Sequence, residues 1–243
     1  MFKTAFVSGA SRGIGRAIAQ ALAQDGYHLS LTCEKNEIML EEFAAELRQT
    51  YHIRVLTFAG DMGNYDFVSH TASETLSDFG QIDVIINNAG ISHIGLLTDM
   101  SPEEWQHLIA VNLSSCFYTA KEFVPSMVSH KQGHIISISS MWGSVGASCE
   151  VAYSASKGGI HAFTKALSKE LAPSNISVNA IGCGVIDTEM NGFLSPEERT
   201  CLESEIPAGR FATTKEVAQT VLSILNSPSY LTGQIIGLDG GYI

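Results

Sequence analysis

Residues 4–8, T-A-F-V-S, pass directly into Gly9-Ala10-Ser11-Arg12-Gly13-Ile14-Gly15 and then into a helical repeat carried by Ile18, Ala19, Leu22 and Ala23. A strand, a glycine-rich turn and a helix start in that order allow few folds. Backbone N–H groups converge at such a turn, and the dipole of the following helix favours an anion there. The spacing is G-x-x-x-G-x-G, which is neither the G-x-G-x-x-G of most dinucleotide folds nor a P-loop, whose end needs Gly-Lys-Ser/Thr. The alternation then continues. Residues 29–32 read as a second strand and 37–50 as a helix with apolar Met39, Leu40, Phe43, Ala44 and Leu47. Residues 53–58 read as a third strand ending in Gly60-Asp61-Met62, 65–79 as a helix, and 82–86 as a fourth strand ending in Asn87-Asn88-Ala89-Gly90. Strands alternating with helices imply right-handed crossovers and a parallel sheet. Ligands of such sheets sit beyond the carboxyl ends of the strands, where residues 9–15, Asp61 and residues 87–90 all fall.

The second half repeats the pattern. Ser101-Pro102-Glu103-Glu104 is a capping box with proline at the first helical position, and it opens a long helix with Asn112 in its middle, between Val111 and Leu113. Such an amide is either a satisfied core group or the holder of a water or a helix distortion. Residues 134–140 read as the fifth strand, 151–171 as a helix and 176–181 as the sixth strand, followed by the loop Gly182-Cys183-Gly184-Val185-Ile186-Asp187-Thr188. Ser195-Pro196-Glu197-Glu198 is a second capping box, opening a short helix in a segment expected to move over the cleft. A helix over 215–225 and a strand over 234–238 lead to Asp239-Gly240-Gly241.

One arrangement reads as an acid/base catalyst. Tyr153 and Lys157 are four apart on the helix over 151–171, which puts them on one face, a turn from each other. An ammonium there favours phenolate and is expected to pull the tyrosine down from its ordinary value of about 10. Ser140, ending the fifth strand, presents a hydroxyl to the same place.

Composition excludes several classes. A chain of 243 residues with 45% hydrophobic and 16% charged residues is long enough for one sizeable core and is not disordered. A net charge of −11 argues against nucleic acid or an anionic membrane surface as partner, and gives an acidic carrier protein no long-range attraction. Five cysteines without a C-x-x-C pair read as reduced thiols of a cytoplasmic protein. The histidines are scattered, so no metal site is expected. The N-terminal residues show no signal-peptide pattern, and no apolar run is long enough to span a bilayer.

Together the pieces resemble the short-chain dehydrogenase/reductase family, from Lys3 to Gly241. The motifs that carry the likeness are S-G-A-S-R-G-I-G at 8–15, N-N-A-G at 87–90, Val111-Asn112, Ser140, Y-S-A-S-K at 153–157 and G-V-I-D-T at 184–188. Within that family the chain is most similar to the 3-oxoacyl-acyl-carrier-protein reductases. The resemblance implies a Rossmann-type α/β fold, a single domain with a doubly wound seven-stranded parallel sheet, commonly assembled as a homotetramer. It implies that Tyr153 donates a proton to a carbonyl oxygen and Ser140 hydrogen-bonds that oxygen. Lys157 lowers the tyrosine pKa and holds the nicotinamide ribose, and Asn112 completes a proton relay. The implied cofactor contacts are Gly9, Ser11, Arg12, Gly13, Ile14 and Gly15 of the first loop, with Glu34, Asp61, Met62, Asn88, Ala89, Gly90, Tyr153, Lys157, Ile186 and Thr188. Substrate would meet Ser140, Glu150 and Tyr153.

The departures from the pattern carry information. Ser8 stands for the usual threonine, and Cys183 for the proline after the sixth strand, a packing variant first and a redox-sensitive group second. Cys33 occupies the place of the acid that NAD-using members carry. Arg12, assisted by Lys35, suits a 2′-phosphate, while Glu34 opposes it, so NADPH is the expected cofactor and NADH a possible one. The expected substrate is a 3-oxoacyl thioester, small or carrier-linked. Lys131 fits a carrier-docking role, but Ser174 replaces a second expected basic residue. Glu150, in Cys149-Glu150-Val151-Ala152, is a solvated helix-start carboxylate or, if it faces the cleft, a group suited to an amine. In the second case the chain is similar to reductases that act on an aminopentanone carried by elongation factor P. An idle dinucleotide-binding sensor is the alternative of another class, and the intact Asn112, Ser140, Tyr153 and Lys157 set argues against it.

Overall fold

The computed structural model describes residues 3–192 and 194–243. In chain order the elements are β1 (Thr4–Val7), α1 (Gly13–Gln24), β2 (His28–Cys33), α2 (Glu37–Tyr51), β3 (Val55–Ala59), α3 (Tyr65–Phe79), β4 (Val84–Asn87), α4 (Pro102–Ile109), α5 (Ser115–His130), β5 (Gly133–Ser140), α6 (Trp142–Val145), α7 (Val151–Leu171), β6 (Ile176–Cys183), α8 (Pro196–Glu205), α9 (Thr214–Leu225) and β7 (Ile235–Leu238). The seven strands form one parallel sheet in the order β3-β2-β1-β4-β5-β6-β7. Strand order reverses between β1 and β4, and a crevice opens at that point beyond their carboxyl ends.

Both faces of the sheet are covered, because successive strand residues point to opposite sides. Ala5, Val7, Val84, Ile86, Ile136 and Ile138 join a core with residues of α1, α2 and α9. Phe6, Ile85, Ile135 and Val178, their alternates, pack with Val68 of α3 and Phe123 and Met127 of α5. The apolar run of each strand therefore serves two layers.

Two expectations are refined. The long helix opened by the Ser101 capping box is present, running from α4 through a π turn over Ala110–Ser114 into α5, so that the distortion left open for Asn112 is a widened turn within it. The β6 strand extends to Cys183, in register with Ser140 of β5, so Cys183 belongs to the sheet rather than to the loop after it. The expected helix after Ser195 is present as α8, its cap made reciprocally by Ser195 and Glu198.

Candidate active site

The crevice is a cleft of about 780 Å³. Its floor is fastened at the strand switch point. The Ser8 hydroxyl accepts from the backbone N–H groups of Asn88 and Ala89, both at 3.0 Å, and the Asn88 amide donates to the Ser8 and Gly9 carbonyls at 2.9 and 3.1 Å. The hydroxyl that serine shares with threonine makes these bonds, so Ser8 keeps the loops after β1 and β4 together. Gly9 and Gly13 have φ of +66° and +56°, which only glycine adopts freely. Gly15 does not line the cleft: a Cβ there would lie 2.2 Å from the Gly9 carbonyl oxygen, so its bare backbone lets α1 pack against the turn.

The turn suits a pyrophosphate. Arg12, the residue before α1, makes no side-chain cap, and the first turn of α1 holds no acid. By contrast Asn64, Ser101, Ser195 and Thr213 cap α3, α4, α8 and α9 with their side chains. The first N–H groups of α1, like those of α2 and α7, have no side-chain cap, and at α1 they open on the glycine turn, where water or a phosphate can accept from them. Ser11, Arg12, Gly13 and Ile14 line this end of the cleft, with Asp61, Met62, Asn88, Ala89 and Gly90 along its floor and Ile186 and Thr188 on the far wall. Glu34 lines it too, paired with Lys35 at 3.2 Å, and Arg12 is paired with Glu189. These residues fit a dinucleotide laid across the switch point.

The chemical groups meet deeper in. Lys157 is buried on α7, its ammonium 5.4 Å from the centre of the Tyr153 ring and donating to the Ile138 carbonyl at 2.9 Å. Ser140 accepts from the Trp142 backbone N–H at 3.2 Å, and its hydroxyl lies close enough to the Tyr153 phenol to favour the ionised form. Asn112 lies behind this group in the π turn. Its side-chain oxygen accepts from Ile91 N–H at 2.8 Å, and its amide donates to the Ile91 carbonyl at 2.9 Å and the Ser156 hydroxyl at 3.1 Å. Asn112 is therefore both a satisfied core group and the site of a helix distortion.

The expectation that Lys157 lowers the Tyr153 pKa does not hold. Burial pushes the phenol above its ordinary value; the nearby Ser140 hydroxyl opposes that, while Cys183 and Glu150 add to it. Burial likewise depresses the Lys157 ammonium. Withdrawing both groups from water costs each its charged form, and this outweighs their mutual effect at 5.4 Å. The resting tyrosine is a protonated acid. Cys183 is buried and pushed up to about 12 with Lys157 opposing, so it packs as a neutral thiol.

Of the two places expected for Glu150 the structure gives the one at the cleft: the residue is half-buried, makes no cap for α7, and lines the cleft beside Tyr153. Burial raises its pKa, and its side chain has no hydrogen bond or ion pair to a described residue. The sequence reading missed two further features here. Trp142 forms a wall of the cleft, and its ring meets that of Tyr242 near the C-terminus at 6.0 Å. The Tyr242 hydroxyl donates to Glu205 at the end of α8 at 2.8 Å, a contact between segments that no local pattern announces. Among the described residues no group of histidine, cysteine and carboxylate side chains is placed to hold a metal, and no helix is long and apolar enough to cross a membrane.

Comparison with known proteins agrees with this geometry. A family model described as short chain dehydrogenase matches residues 3–199. An uncharacterized oxidoreductase of Bacillus subtilis is 39% identical over 243 residues, covering 100% of this chain and 99% of that protein. A 3-oxoacyl-acyl-carrier-protein reductase of Staphylococcus aureus is 37% identical, covering 99% and 98%. The reductase of that name from Chlamydia muridarum is 38% identical, covering 98% and 96%.

Proposed function

The chain belongs to the short chain dehydrogenase family, and on that premise we propose that it is an NADPH-dependent carbonyl reductase with Tyr153 as proton donor. The observation that carries the proposal is the meeting of Ser140, the protonated Tyr153 phenol and buried Lys157 in one cleft, the one that the glycine turn opens, with the Lys157 ammonium 5.4 Å from the centre of the Tyr153 ring. The cofactor, when bound, supplies the hydride. Ser140 holds the carbonyl oxygen where Tyr153 can protonate it, and the two donors favour the charge that develops there. Lys157 has one fixed acceptor, Ile138, which leaves donors for a ribose hydroxyl and for steadying the phenolate once the proton has left. Glu34, Asp61 and Met62 lie toward the adenosine end, and Ile186 and Thr188 toward the nicotinamide. A homotetramer working in the cytoplasm belongs to this reading, and the exposed Phe117 and Val128 of α5 support association.

Two substrate classes follow. A 3-oxoacyl thioester rests on the relatives that carry that name. A ketone bearing an amine, such as an aminopentanone on elongation factor P, rests on Glu150, a carboxylate beside the phenol with no partner among the described residues, and this cleft observation favours it. The test follows NADPH oxidation with acetoacetyl thioester and with a small aminoketone. Tyr153→Phe is expected to lower turnover at least about 10³-fold while dinucleotide binding stays. Turnover unchanged in that variant sinks the mechanism; dinucleotide binding with no turnover of any carbonyl supports the sensor instead. Glu150→Gln should raise KM for the aminoketone about tenfold and leave the thioester unchanged.

A further inference from the structure

The cation suited to a 2′-phosphate is already engaged. Arg12, just before α1, is ion-paired with Glu189, in the short turn that follows Thr188. The pair joins the glycine turn to the segment on the opposite wall of the cleft, and both residues line it. The second cation at this end, Lys35, is paired with its neighbour Glu34. The two pairs differ in kind: Lys35 and Glu34 are adjacent in one loop, whereas Arg12 and Glu189 lie 177 residues apart and meet only across the ligand's path.

We infer that Glu189 sets the preference between phosphorylated and unphosphorylated dinucleotide, by competing with the 2′-phosphate for the Arg12 guanidinium. This rests on the reading of the cleft as a dinucleotide site. A 2′-phosphate seated at Arg12 meets a guanidinium that already has a carboxylate partner, and that carboxylate repels the incoming dianion. A dinucleotide with a free 2′-hydroxyl meets neither effect. Glu189 therefore weakens NADPH binding selectively, and Cys33, which supplies no carboxylate for the ribose diol, does not by itself decide the outcome. Arg12 and Glu189 side chains are 56% and 63% exposed, so the competition is screened and modest.

The test is calorimetric titration of the ligand-free protein with NADPH and with NADH, in the wild type and in E189Q, R12Q and the double variant. Both substitutions fall on exposed side chains, so folding is not at stake. In E189Q the ratio of NADH to NADPH dissociation constants should rise about 3- to 10-fold at low salt and shrink toward the wild-type ratio at about 0.5 M. In the R12Q background the same change should move the ratio by clearly less than it does with Arg12 present, because no guanidinium remains to be released and only the screened direct repulsion is relieved. An unchanged ratio in E189Q overturns the inference while the wild type still binds both dinucleotides. So does a shift toward NADH, which would make Glu189 a support for Arg12, or an equal shift with and without Arg12. A wild type that binds neither dinucleotide overturns the cofactor reading, and this inference with it.

Discussion

Glu150 sits where ionisation is disfavoured, at a half-buried helix start with no partner among the described residues. Burial raises its pKa, so the folded protein binds that proton more tightly than the unfolded chain does. The associated stability is present below the ordinary carboxylate range and is lost as pH rises through the raised value. Glu150→Gln should therefore raise Tm at pH 7 and have no such effect at pH ~4; because the group is partly exposed, the gain is at most about 2 °C. Thermal unfolding at the two pH values checks it, and a fall in Tm at pH 7 would mean that the carboxylate has a stabilising partner. This residue also marks a limit of sequence reading. The spacing of Tyr153 and Lys157 is local and was legible, as was the side of the sheet they occupy. The direction of the Tyr153 shift and the aim of Glu150 depend on how much water the surrounding elements exclude, which spacing does not encode. Gly15 shows the same limit, since its motif position suggested a ligand contact and its surroundings make it a packing position.

The π turn over Ala110–Ser114 is the clearest case of tertiary contacts overriding a helical pattern. Residues 101–130 keep a helical signal throughout, and their capping box formed as expected. The widened turn carries Asn112, whose side chain satisfies both backbone groups of Ile91 as well as Ser156. Those partners lie 21 and 44 residues away, beyond the reach of a local window. Replacing Asn112 by Leu strands the Ile91 N–H and carbonyl next to the cleft. The expected cost is about 2–4 kcal/mol in urea unfolding, with faster proteolysis of the segment after Gly90. A loss under about 1 kcal/mol would mean that water replaces the amide, and that the distortion is not what holds the loop. The four-residue α6 went unread for a simpler reason: one turn carries no period, although it places Trp142 in the cleft wall.

That the sheet is parallel followed from the sequence, because strands alternate with helices and crossovers are right-handed, whereas the order of its strands comes from the structure. Charge distribution adds a constraint of its own. The net charge of −11 repels an acidic carrier protein at long range, and at the expected docking position Lys131 is accompanied by Ser174 rather than a second cation. The same field attracts a small cationic substrate and acts weakly on a neutral one. Raising salt from about 0.05 to about 0.5 M contracts the screening length several-fold and weakens all three effects. KM for a carrier-linked 3-oxoacyl substrate should then fall, KM for an aminoketone should rise, each by about threefold or more, and KM for a neutral acetoacetyl thioester should stay level. If instead KM for the carrier-linked substrate rises with salt, a local basic patch around Lys131 outweighs the net charge, and the carrier-linked thioester regains weight. If only the aminoketone responds, the field and Glu150 act together on an amine, and specificity is built into the charge of the fold as well as into its cleft.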